Sequence, residues 1–222
     1  MRVLIINGSP RIKGATSTML HMIGRDLKSS GIDVDFYDLS EIDMSHCIGC
    51  CSCYKTGHCC IDDDAEKLSE LISEADGVVL GTPTYASNVS GLMKDLIDRG
   101  HFVIEQLLHN KYCITVATGE NYGNKQALKV LNDLVLYSGG RLSGKIRAGL
   151  PFNDIQSIDG GLERRVHKVA QSLVRDMEHG HIYPFQRLFH FIIFYAGIKP
   201  FVRKKGALYQ GVTIKWKKYG IT

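Results

Sequence analysis

Five times along this chain a short apolar run is followed by a segment of helical periodicity, and few folds accommodate that alternation. The first run is Arg2-Val-Leu-Ile-Ile-Asn7, ended by Gly8 and Pro10. A helix is expected over 16–30, where Met19, Leu20, Ile23 and Leu27 share one face and Gly31 closes it. Further strands are expected over 34–38, 77–81, 112–117 and, with a weaker pattern, 141–148. Asp62-Asp63-Asp64 offers an N-cap to a helix whose stripe is Ala65, Leu68, Leu71, Ile72 and Ala75. More helices are expected over 92–106, 125–138 and 162–178. Strands alternating with helices make a parallel sheet covered on both faces. Ligands bind such sheets beyond the carboxyl ends of the strands, at the topological switch point. Three loops leave those ends here: 8–18, 82–91 and 118–124.

The second constraint is a string of six cysteines between 47 and 60. Cys47, Cys50, Cys53 and Cys59 follow C-x2-C-x2-C-x5-C, a spacing that can bring four soft thiolates onto one small object. A [4Fe–4S] cluster takes such a set. Tetrahedral zinc does too, with His46 or His58 as substitute ligands. A third reading leaves the thiols reduced and empty. Cys51 and Cys60 each adjoin a proposed ligand, and Cys113, in a predicted strand, reads as a buried small hydrophobe. Disulfides need an oxidising compartment. The start, Met1 followed directly by an apolar run of strand length, offers no signal h-region, so the expected compartment is the reducing cytoplasm.

The loop after the first strand carries Ser9, Thr16, Ser17 and Thr18, with Arg11, Lys13 and two glycines, at the start of a helix. Free N–H groups and hydroxyls at a helix N-terminus bind anions, and an arginine can clamp a phosphate. The loop matches neither the dinucleotide G-x-G-x-x-G pattern nor the ATP or GTP phosphate loop. Asn7-Gly-Ser-Pro-Arg11 with Gly14-x-Thr16-Ser17 resembles the phosphate loop of the flavodoxin-like NAD(P)H-dependent FMN reductases. Thr82-Pro-Thr-Tyr85, Gly91-Leu-Met-Lys94 and Ile97-Asp-Arg99 resemble that family's second flavin loop and the helix behind it. The cysteine segment followed by Asp62-Asp63 resembles the iron–sulfur flavoprotein subgroup. The resemblance spans about residues 1–178, and Ala15 stands where the family often has Asn.

That resemblance implies a flavodoxin-like, doubly wound, five-stranded parallel sheet. Ser9, Arg11, Thr16, Ser17 and Thr18 would hold the FMN phosphate. Pro83, Thr84, Tyr85 and Asn88 would line the isoalloxazine, and Thr118, Gly119, Tyr122 and Gly123 would form the third loop. The implied activity is electron transfer from NAD(P)H or reduced ferredoxin through FMN to a small-molecule or protein acceptor. No side chain is needed as acid, base or nucleophile, because the flavin carries the chemistry. Two other classes compete: a redox sensor or electron carrier, and a zinc-stapled protein at a membrane surface.

Charge divides the chain near residue 179. Residues 179–222 hold eight Lys and Arg and no Asp or Glu, whereas 1–178 hold 19 basic and 23 acidic residues. We therefore expect an FMN-binding domain over 1–178, with its cysteine loop at 46–61, and a basic, aromatic extension over 179–222. A basic segment attracts anionic partners, with an acidic ferredoxin as one case. Packing of the extension across the domain or a second subunit is favoured over nucleic-acid binding, homo-oligomer formation is expected, and contact with a membrane surface is not.

Overall fold

The computed structural model describes residues 1–221. Its centre is a parallel sheet of five strands: β1 (Arg2–Asn7), β2 (Asp33–Asp38), β3 (Gly77–Pro83), β4 (Tyr112–Gly119) and β5 (Arg141–Gly149). Their order is β2-β1-β3-β4-β5. The order reverses between β1 and β3, where Asn7 pairs with Gly81, and there the crossover helices leave to opposite faces.

Because both faces are covered, the strands are apolar on both sides. In β1, Val3 and Ile5 pack beneath α1 (Ala15–Ser29), while Leu4 and Ile6 face the other layer. Between α1 and the next crossover helix lies a five-residue helix, α2 (Ser52–Thr56), inside the cysteine segment that the sequence suggests is all loop. It is too short to show periodicity. The second layer holds α3 (Asp64–Glu74) and α4 (Gly91–Arg99), with Leu68, Ile72, Met93 and Leu96 buried.

The single helix expected over 92–106 is two helices. After α4, Gly100 and His101 break the helical path, with His101 at φ 48°, and α5 (Phe102–Glu105) follows. Tertiary bonds made by Arg99 and His101, given below, hold this break against the helical preference of the flanking residues. Then come α6 (Asn124–Tyr137) and α7 (Gly160–His179), whose Val166, Ala170 and Leu173 join α1 in closing the first layer.

The extension after Gly180 is helical and folds back. It comprises α8 (Pro184–Ile192), a π-helical turn (Ile193–Ile198), α9 (Lys199–Lys205) and α10 (Gln210–Lys218). Phe194, Val202, Val212 and Trp216 form a separate apolar cluster that takes in Tyr54 of α2 and Ile104 of α5. The Trp216 indole donates to the Ile104 carbonyl at 2.9 Å. The extension therefore packs on the cysteine segment. Among the described residues no helix is long and apolar enough to cross a membrane.

Candidate functional site

Three loops meet at the carboxyl ends of β1, β3 and β4. The first shapes itself: Ser9 Oγ accepts from the Arg11 amide at 3.1 Å, Ser17 Oγ donates to the Ile12 carbonyl at 2.6 Å, and Thr18 Oγ1 donates to the Gly14 carbonyl at 3.0 Å. Three of the four predicted hydroxyls are thus engaged with the loop's own backbone. The fourth, Thr16, lies 2.6 Å from Thr118 Oγ1 and ties the first loop to the third. Gly14 precedes α1 with no side-chain cap, so the first-turn N–H groups keep their donor capacity. The Arg11 side chain is exposed beside them.

The second loop continues β3. The Thr84 amide donates to the Thr118 carbonyl at 2.8 Å. Tyr85 and Asn88 exchange backbone hydrogen bonds across a tight turn whose central residues, Ala86 and Ser87, sit at φ 47° and 61°. Two non-glycine residues in the left-handed region cost on the order of 1–3 kcal/mol each, and such strain gathers at functional sites. The third loop crosses this turn at Gly123, at φ 85°, where a Cβ would lie 2.6 Å from the Ser87 Cα. Tyr85 and Tyr122 are exposed at the mouth.

These features fit a phosphorylated flavin. An uncapped helix start beside an arginine suits the phosphate. The Thr84 hydroxyl oxygen is buried without a partner among the described residues, as expected of a group awaiting a ligand. One contributor lies outside the sequence reading. Ser90 caps α4 by accepting from the Met93 amide at 3.1 Å, and its hydroxyl donates to the Gly8 carbonyl at 2.5 Å. A serine just before a helical stripe is the signal that marks it.

The cysteine segment lies at the other end of α4. All seven cysteines are free. Cys50 and Cys60 sulfurs are 3.3 Å apart. Cys47, Cys50, Cys51 and Cys60 are exposed, Cys59 is half-buried and Cys53 is buried. Burial, with the Glu105 charge second, pushes the Cys53 thiol up to about 12, whereas the Ser52 amide and then Cys60 pull the Cys50 thiol down. Cys113 is buried in β4, as expected.

Two residues outside the motif grip this segment. Arg99 pairs bidentately with Asp63 at 2.7 and 2.8 Å, donates to the Ser45 carbonyl at 2.6 Å, and lies 3.4 Å from Cys59 Sγ. Its side chain is 1% exposed and that of Asp63 3%. His101 Nε2 lies 3.0 Å from Cys53 Sγ. Burial, then the Lys215 and Arg99 charges, push His101 down to about 4. Arg99 is the last residue of α4 and His101 lies in the break that follows it. His46 and His58 pair instead with Asp95 and Glu66.

By kind, the thiols fit a soft metal group, and the Arg99 cation beside Cys59 suits a site of negative charge. Among the described residues no three His, Cys, Asp or Glu side chains are gathered as a metal site. The structure brings Cys50 to Cys60.

A family model described as NADPH-dependent FMN reductase matches residues 1–146. An iron–sulfur flavoprotein of Clostridioides difficile strain 630 is 36% identical over 225 residues, covering 100% of both chains. Among solved structures, a flavone reductase superposes at TM-score 0.65 with 17% identity, over 82% of this chain and 66% of its own. An apo NADH:FMN oxidoreductase superposes at 0.60 with 16% identity, over 84% and 93%. At such identities the structural likeness speaks for the fold.

Proposed function

The chain belongs to the NADPH-dependent FMN reductase family of oxidoreductases, and from that premise we propose that it moves electrons from NADPH or a reduced ferredoxin to a small-molecule or protein acceptor, with FMN at the three loops and a [4Fe–4S] cluster on the cysteine segment. The observation that carries the flavin half is the meeting of the loops on Thr118, beside an uncapped helix start and the unpartnered Thr84 hydroxyl.

In this reading Ser9, Arg11, Thr16, Ser17 and Thr18 surround the phosphate. The α1 amides and the Arg11 guanidinium bind it, while the hydroxyls fix the loop. Pro83, Thr84, Tyr85 and Asn88 orient the ring from one side, and Thr118, Gly119, Tyr122 and Gly123 from the other. The strained turn at Ala86 and Ser87 sets the width between them. When bound, the flavin exchanges electrons in pairs or singly and the cluster singly, so together they join two-electron to one-electron chemistry. Cys47, Cys50, Cys53 and Cys59 would supply the thiolates, with Arg99 offsetting their charge. The name of the Clostridioides difficile relative, which matches end to end, supports the cluster.

The basic extension suits an acidic protein partner. Pairing of subunits belongs to the same proposal, and α8 offers an apolar face in Phe185 and Leu188, both exposed. Light scattering tests the pairing.

The experiment is an absorbance spectrum of protein purified without oxygen, with iron, sulfide and flavin assayed on one sample. Flavin bands over a broad brown shoulder, with about four irons per chain, are expected. No retained flavin overturns the proposal, and flavin without iron or sulfide removes its cluster half.

A further inference from the structure

His101 occupies a position that its backbone resists. Its φ of 48° lies in the left-handed region, at a cost on the order of 1–3 kcal/mol. Its ring is nearly buried, and both nitrogens face chemistry. Nε2 is 3.0 Å from Cys53 Sγ. Nδ1 is 3.5 Å from Glu105 Oε1, and Glu105, 1% exposed, is paired through Oε2 with Lys215 Nζ at 2.9 Å. Tyr54, next to Cys53, packs edge-on against the imidazole with centroids 5.4 Å apart. Lys215 comes from α10, the far end of the extension. A line of contacts therefore runs from the extension through a buried carboxylate and an imidazole to one sulfur.

A buried histidine commonly serves only to fill and satisfy a core. Here one ring nitrogen meets, at 3.0 Å, a sulfur that the reading above assigns as a ligand. That is how an outer residue orients a metal ligand.

We propose that His101 is a positioning residue of the cysteine site, holding the Cys53 sulfur through Nε2, and that Lys215 of the C-terminal extension, paired with the buried Glu105 beside the ring, adds its charge to the site. This rests on the cluster half of the proposed function. A hydrogen bond donated to a ligand sulfur stabilises the added electron density of the reduced state, so it raises the cluster's potential. The extension then acts by setting that potential as well as by its surface charge.

The test uses the full chain purified without oxygen, as wild type, His101→Ala, His101→Gln and Lys215→Met. Iron, sulfide and FMN are assayed, and cluster reduction is followed by a redox titration read in the electron paramagnetic resonance signal. His101→Ala is expected to keep its FMN and to shift the reduction equilibrium about tenfold toward the oxidised form, about 59 mV for one electron. His101→Gln, whose amide can donate to sulfur, recovers most of that shift. Lys215→Met moves the potential in the same direction as His101→Ala. Iron present with unmoved potentials overturns the role of His101 alone. If His101→Ala loses its iron, His101→Gln decides: restored iron and potential support the hydrogen bond, and loss in both overturns it in favour of packing. A wild type without iron and sulfide overturns the cluster reading and this inference together.

Discussion

At Gly211 the extension meets the backbone of the cysteine segment. A Cβ there would lie 2.1 Å from the Gly57 nitrogen, 2.7 Å from the Cys53 carbonyl oxygen and 2.8 Å from the Gly57 Cα. All three obstacles are backbone, and two of them form the hydrogen bond that closes α2, Gly57 N to Cys53 O at 2.8 Å. No rotamer change relieves the clash, so Gly211→Ala must move one helix off the other. Overpacking costs about 1–3 kcal/mol, and rigid obstacles put this case near about 3 kcal/mol. For a chain of this size that lowers the melting temperature by roughly 6–12 °C. The displaced α10 also carries the Lys215–Glu105 pair, and Tyr209, whose ring stacks on Tyr54 with centroids 4.8 Å apart, lies just before it. Loss of iron should accompany the melting shift. FMN affinity should not change, because the flavin loops lie at the opposite end of α4. Thermal melts followed by circular dichroism, with iron assays and FMN titrations on the same preparations, read all three quantities. An unchanged melting temperature would show that α10 does not rest on α2, and the account of the extension would fall.

Other perturbations separate the two halves of the site. Arg11→Ala should weaken FMN roughly 10- to 150-fold, the worth of one charged hydrogen bond, while leaving riboflavin binding unchanged; fluorescence-quenching titrations compare the two. Thr84→Val removes a buried unpaired hydroxyl, so the apoprotein should gain about 1 kcal/mol in a urea melt while FMN binds roughly 2- to 12-fold more weakly. Asp63→Asn strands a buried guanidinium and should cost about 3–5 kcal/mol in the same melt. The Asp63 carboxyl is raised by burial but lowered more by hydrogen bonds from Arg99, Ser45 and Ala65 and by the Arg99 charge, leaving it below the usual carboxylate range. Its contribution is therefore complete above the unfolded value of about 3.9 and is lost as pH falls through the lower folded value. The acid side of the wild-type stability profile should be steeper than that of Asp63→Asn, and equal slopes would refute the assignment.

The sheet was legible because runs such as Val3 to Ile6 are apolar on both faces, which only a covered parallel sheet requires. The flavin loops were legible because hydroxyls, glycines and Arg11 sit at strand ends, where composition has local meaning. What escaped was set by distant partners. Gly100 is a stop signal of the kind read at Gly31, but apolar periodicity running on through Leu96 and Phe102 masks it, and the bonds of Arg99 to Asp63 and His101 to Cys53 hold the break. The extension gave its charge to the sequence reading but not its destination, since Trp216 and Ile104 meet across 112 residues.

One helix joins the two candidate sites, and that join is their shared dependence. At the start of α4, the hydroxyl of Ser90 holds the Gly8 carbonyl of the first flavin loop, and the Ser90 amide donates to Thr82 Oγ1 at the end of β3. At its far end Arg99 holds Asp63 and stands beside Cys59, and His101 follows two residues later on Cys53. Nine residues at about 1.5 Å each make a rod of about 13 Å between these grips. Both ends are fixed by buried groups, so the helix sets the spacing between the two sites. A domain with only the flavin loops would need a helix here to close its sheet, but it would not need that helix to end in a buried arginine and a left-handed histidine. In the proposed function those two residues hold the cysteine segment at a set distance from the flavin loops, as electron transfer between the two sites would require.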